Sequence, residues 1–335
     1  MNYRPIDTIT DLVESPDFYK NMEQIKEMNI PDEISYYIEK YEDICGDRDR
    51  FLWNWVQTLT TSRNPGFMFS TVPEEYTQHI GNLKTILTIF VATLDDIADK
   101  YKDKELLEKC LDIPFEKENI DTRNINDINK IRRIKLAEEI WDNINLELVS
   151  LPRYEEFKDI FTFDIKQLLN SLHHSYVINV NPYLINLKEA EIYANHNMTF
   201  YLYSDIDLMA SPSFDIKDLP YLREVIWRAQ KMARIGNWLS TWEREVKEGD
   251  FSSGIFAYAI SNKILNVEDL DEKNKKEMVE LLKKYYIEKH FLEKWQENYN
   301  QINNITSTIN SIDINQYLEG LEQILSYHLA SKGLK

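Results

Sequence analysis

TILTIFVATLDDIADK fills residues 85–100. Its first ten residues carry no charge, and three aspartates follow: Asp95, Asp96 and Asp99. Apolar side chains point in almost every direction of a helical wheel here, and a helix that is apolar all round is a buried helix. Ending it on three carboxylates is electrostatically unfavourable. A helix C-terminus already carries partial negative charge, and the acids repel one another. Asp95 and Asp99 share a face, with Asp96 about 100° round. Divalent cations would relieve both penalties, and hard carboxylate oxygens suit Mg2+. The competing reading is a solvated helix end that frays into the charged run Lys100–Glu105.

The rest of the chain agrees with long helices. It has 335 residues, only 8 of them Gly and 10 Pro, well under the usual ~7% and ~5%. Pro16, Pro31, Pro65, Pro73, Pro114, Pro152, Pro182, Pro212 and Pro220 sit in polar, loop-like settings. Helical periodicity predicts segments over 34–44, 47–59, 75–100, 128–148, 154–177, 187–209, 222–248, 273–299 and 314–331. Residues 112–128 read as a polar loop. Strand alternation and internal repeats are absent. The expectation is all-α: one helical domain over 26–335, a bundle of about ten or more helices, behind a flexible N-terminal segment, 1–25.

With 57 acidic and 39 basic residues the formal charge is −18, which argues against nucleic acid as a partner. Two cysteines make no disulfide framework. No apolar leader is seen, and the most apolar window, 85–94, is about half a membrane crossing. Mean hydropathy is −0.49. The expected protein is cytoplasmic, without membrane insertion, with a homodimer as one open option.

A second stretch, NWLSTWERE, fills residues 237–245. Asn237, Thr241 and Glu245 follow at four-residue steps, so an amide oxygen, a hydroxyl and a carboxylate line one helix stripe. Such a row can chelate a hard cation, or it can be an ordinary polar face beside Trp238 and Trp242.

Together the two stretches resemble the class I terpene synthases (terpene cyclases), in their bacterial form. Asp95, Asp96 and Asp99 match the family's DDxxD motif. Asn237, Thr241, Arg244 and Glu245 match its (N/D)Dxx(S/T)xx(K/R)E motif, with Trp238 departing at the second position. The spacing between the motifs also matches, and the resemblance runs from about residue 50 to the end. It implies an all-α fold around a central apolar cavity. It implies three Mg2+ ions, replaceable by Mn2+, bridging both motifs to the diphosphate of a linear isoprenyl substrate. Asp95 and Asp99 would hold two ions, with Asp96 a ligand or a neighbour of one. Asn237, Thr241 and Glu245 would hold the third, and Arg244 would bind the diphosphate. Loss of diphosphate would leave an allylic cation for the cavity to fold and cyclise. Geranylgeranyl diphosphate is favoured as substrate, farnesyl diphosphate next.

Bacterial members carry an Arg some 40–46 residues before the second motif, yet no Arg lies between Arg153 and Arg223. Asn197 or Lys188 would take its place. The usual C-terminal Arg-Tyr pair is missing as well, with Lys332 either a substitute or a solvated tail residue. By periodicity Thr88, Val91, Ala92, Met198, Phe200, Tyr201, Trp238 and Trp242 are cavity candidates. His173-His174 reads as a solvated pair. The rivals are an isoprenyl diphosphate synthase, which needs a second DDxxD that Asp205-Ile-Asp207 and Asp269-Leu-Asp271 do not supply, and a non-enzymatic helical interaction protein.

Overall fold

Helix ends fall where the punctuation predicts them. The computed structural model describes residues 30–46, 58, 66–116, 118–272, 275–330 and 332. The expected flexible segment 1–25, and all but one residue of the helix expected over 47–59, lie outside these. Helix α1, Asp32–Cys45, starts after Pro31, and α2, Glu74–Asp96, after Pro73. Asp103 caps α3, Lys104–Asp112, and Asp127 caps α4, Ile128–Ser150, through backbone N–H groups of the first turn. Next come α5, Tyr154–Val180; α6, Leu187–Ile192, capped by Asn186; and α7, Phe200–Met209. Helix α8, Leu219–Glu248, has Pro220 in its first turn and ends on Gly249 at φ 75°, a left-handed stop suited to glycine. The chain finishes with α9, Gly254–Ser261; α10, Asp269–Glu272; α11, Lys275–Lys284; α12, Ile287–Ile305; and α13, Ile314–Ala330.

No strand occurs among the described residues, so the all-α expectation holds. Helix α8 packs along α12 and α13, α2 against α1 and α4, and α7 against α5 and α8. Their apolar faces merge into one core that runs from Ile34 to Leu329. Among the described residues no helix is long and apolar enough to cross a membrane.

The departures are informative. The helix expected over 75–100 changes to a π turn at Ile97–Tyr101, inside the aspartate motif. The helix expected over 187–209 is three pieces: α6, a 3-10 turn at Ala194–Met198, and α7. The break follows Asn195, whose side chain bonds the Glu191 carbonyl at 2.6 Å and so competes with the helix ladder. It passes through Thr199 at φ 66°. The helix expected over 273–299 likewise breaks at Tyr286, φ 50°. Three short helices, α3, α9 and α10, were not predicted; the charges around the first read as fraying, and the others are only eight and four residues long.

One pattern in α2 locates the interior. From residue 80 to 98 every residue is buried except Thr88 and Asp95, which are partly exposed. They are seven apart, about two turns and about 10 Å along one face. Solvent therefore reaches this central helix along a single line, as it would from a cleft.

Candidate active site

The three aspartates of the first motif turn to three different neighbours. Asp95 accepts from Asn197 Nδ2 at 3.1 Å. Asp96, 1% exposed, accepts from the Tyr41 hydroxyl on α1. Asp99 accepts from Ser175 Oγ at 2.6 Å and Asn179 Nδ2 at 3.1 Å, both on α5. The π turn allows this fan: its wider winding re-aims Asp99 away from the face an α-helix would give it. Burial, then the charges of Asp250 and Asp95, push the Asp99 carboxyl well above its ordinary range.

The second motif lies on α8. Thr241 Oγ1 is 2.6 Å from Glu245 Oε1 and 2.8 Å from the Asn237 carbonyl; its single proton serves one at a time. Glu245 Oε2 is buried without a hydrogen-bond partner. Burial and the charge of Asp250 push Glu245 up to about 7. Asn237 is partly exposed, and its Oδ1 accepts from Arg234 Nη1 at 3.1 Å.

Three residues absent from the sequence reading tie the motifs together. Asn179 Nδ2 donates to Asp99 and to Asp250 Oδ1 (3.0 Å), while its Oδ1 accepts from the Phe251 N–H at 3.1 Å. Asp250 follows the Gly249 stop, and its own N–H folds back to the Glu245 carbonyl at 3.0 Å. Arg234 lies one turn before Asn237, and its charge draws down both Asp99 and Glu245. The i, i+3 spacing of Arg234 to Asn237 was a readable signal. Asn179 and Asp250 had none, because they meet only through the end of α5 and the stop after α8.

The other sequence candidates divide. Asn197 joins the site through Asp95. Arg244 points Nη1 at Glu248 Oε2, 2.9 Å away. Lys332 pairs with Glu288 and, at 3.6 Å, Glu243, beside Trp242. Trp238 packs edge-on to Phe291 and against Gly254, with its indole N–H unpartnered. Val91 and Ala92 are buried, and Phe200 packs on Phe67 and Tyr203. His174 faces Glu189 at 3.4 Å. Asp207 is buried against Lys84 Nζ at 2.6 Å, a close ion pair rather than an aligned hydrogen bond. Asp205 is buried near the Arg223–Asp164 pair. Neither residue lies open to form a second aspartate-rich metal motif.

Among the described residues no three His, Cys, Asp or Glu side chains form a metal group by themselves. The donor set still fits Mg2+, which is usually held by one or two carboxylates together with waters and substrate phosphates. The observation that fits is the orphaned Glu245 Oε2, buried on a carboxylate whose other oxygen meets the Thr241 hydroxyl.

No protein-family model and no curated protein matches this sequence. Solved structures do match, and the class they define is the class I terpene synthase fold, which this chain has. Isoprene synthase from grey poplar leaves (Populus x canescens) covers 97% of the chain at TM-score 0.55 and 16% identity. The chain spans 58% of that protein's length. The same protein in complex with three Mg2+ ions and dimethylallyl-S-thiolodiphosphate gives TM-score 0.56, also at 16% identity, covering 97% of this chain and 55% of that one. Linalool/nerolidol synthase from Streptomyces clavuligerus, in complex with 2-fluorogeranyl diphosphate, covers 95% of both chains at TM-score 0.52 and 10% identity.

Proposed function

We propose that this chain is a Mg2+-dependent terpene synthase that ionises a linear isoprenyl diphosphate, geranylgeranyl diphosphate before farnesyl diphosphate, and cyclises the resulting cation. The observation that carries this reading is the joining of Asp99 to Asp250 by the one amide of Asn179, with Arg234 set against both motifs. This supports a reading in which two acidic motifs separated by 142 residues (237 − 95) act on one diphosphate.

Asp95, Asp99, Asn237, Thr241 and Glu245 would hold Mg2+, whose Lewis acidity would stabilise the departing diphosphate. Arg234 supplies a fixed guanidinium suited to phosphate oxygens, in place of the Asn197 or Lys188 that the sequence reading offered. Asn197 orients Asp95, and Asn179 orients Asp99. Below them, the buried face of α2 and the rings of Phe67, Phe200 and Tyr203 exclude water and offer π faces to a cation. Arg244 reaches the diphosphate by leaving Glu248.

The test incubates the protein with C10, C15, C20 and C25 diphosphates and Mg2+, then measures released diphosphate and analyses hexane extracts by gas chromatography–mass spectrometry. Turnover of at least one substrate is expected, lost in Asp95→Ala and Asn237→Ala. No release from any substrate overturns the reading.

A further inference from the structure

Thr88 and Tyr203 form a polar rung between α2 and α7. Thr88 Oγ1 donates to the Lys84 carbonyl at 2.9 Å and lies 2.6 Å from the Tyr203 hydroxyl. A hydroxyl has one proton. With Thr88's proton on Lys84, the phenol must be the donor of the 2.6 Å bond. The Thr199 side chain lies beside the Tyr203 hydroxyl. Thr199 sits at φ 66°, a conformation that a β-branched residue rarely adopts and that marks functional sites when the surroundings enforce it. One turn along the same two helices, Lys84 and Asp207 form a second rung, fully buried, which fixes the register of α2 on α7. Phe67 stacks on the Tyr203 ring at 5.5 Å.

The accessible line on α2 gives this hydroxyl group its place. Within the buried stretch 80–98 of α2, Thr88 is the one accessible residue besides Asp95, about 10 Å along the helix from it. The oxygens of Thr88 and Tyr203 each keep a lone pair after their mutual bonds are counted. A water that donates one hydrogen to each has its two needed partners and directs its own lone pair into the cavity.

We infer that the Thr88–Tyr203–Thr199 hydroxyls hold the water that quenches the substrate cation, so that the main product is a terpene alcohol. The inference rests on the terpene synthase reading above. A water lone pair forms the carbon–oxygen bond, and the oxonium loses its proton to a second water. The balance is isoprenyl diphosphate plus water giving alcohol, diphosphate and a proton.

The experiment runs the accepted substrate in 18O-labelled water with wild type, Thr88→Val and Tyr203→Phe, and reads alcohol against hydrocarbon per diphosphate released. Wild type should give mainly 18O-labelled alcohol. Losing one water-holding oxygen should shift the ratio toward hydrocarbon by about tenfold. The ratio is taken per turnover, so a slower variant still reports. Hydrocarbon alone from wild type, or unchanged ratios in both variants, overturns the inference while leaving the terpene synthase reading intact. Absence of diphosphate release from every substrate instead overturns that reading.

Discussion

Glu245→Gln keeps the side chain's shape and removes one charge from the floor of the acidic site. In the metal-free chain, burial and Asp250 push Glu245 from its ordinary 4.5 up to about 7. The folded chain then binds more protons than the unfolded chain between those values, so this group's stabilisation is full below the lower one and is lost as pH rises through the higher. The displacement corresponds to about 3 kcal/mol of destabilisation at pH 8. Unfolding entropy for 335 residues is ~0.7 kcal/mol/K, so the expected change in Tm is about 4 °C. The assay is differential scanning calorimetry of both proteins in EDTA at pH 5.5 and 8. Asp99, Asp205 and Asp207, also raised by burial, titrate in both proteins and cancel in the difference. The variant should melt close to wild type at pH 5.5 and up to about 4 °C higher at pH 8. Mg2+ with inorganic diphosphate should then stabilise wild type more than the variant. A variant that melts lower at both pH values would refute the reasoning, because it would make the Thr241 contact worth more than the buried charge.

Lys84→Met leaves the Asp207 carboxylate buried without its cation, held only by the Phe69 N–H, at a cost of about 3–5 kcal/mol in urea unfolding, and adding Asp207→Leu should recover most of it. Gly320→Ala would set a Cβ 2.4 Å from the Gly66 carbonyl carbon, so a loss of about 1–3 kcal/mol is expected by the same measurement. Arg234→Lys keeps a charge but not the fork, and should raise KM for the diphosphate substrate by about tenfold with a smaller change in kcat; an unchanged KM would remove Arg234 from the binding role.

Spacing made the two motifs readable, because residues four apart on a helix must share a face whatever surrounds them. It could not show that Asp96 would turn to Tyr41, which depends on the packing of α1, or that a π turn would re-aim Asp99. The breaks at Thr199 and Tyr286 were equally hidden. Neither is Gly or Pro, so no local signal ends the helix, and tertiary contacts enforce the left-handed residue. Asn197 was placed near the site by its position before the second motif. Its bond to Asp95 exists because the helix breaks there. Periodicity offered Thr88, Val91 and Ala92 alike as cavity residues; of the three only Thr88 is accessible, and that choice depends on how the neighbouring helices pack.

The lower end of the molecule joins residues from opposite ends of the chain. Ser70 Oγ accepts from the Asp313 N–H at 2.8 Å across 243 residues, and Gly320 on α13 lies against the Gly66 backbone. Phe69 donates its N–H to Asp207 at 3.1 Å, beneath the hydroxyl rung. At ~5–20 residues per second of synthesis, roughly 10–50 s separate the first half of this seam from the second. During that interval the segment 66–70 has been made without the helix that covers it. Contacts so distant in sequence also slow closure. The same seam that seals the interior in the finished protein therefore closes last, and a chain that stops short of residue 313 leaves the segment 66–70 without the partners that Asp313 and Gly320 supply.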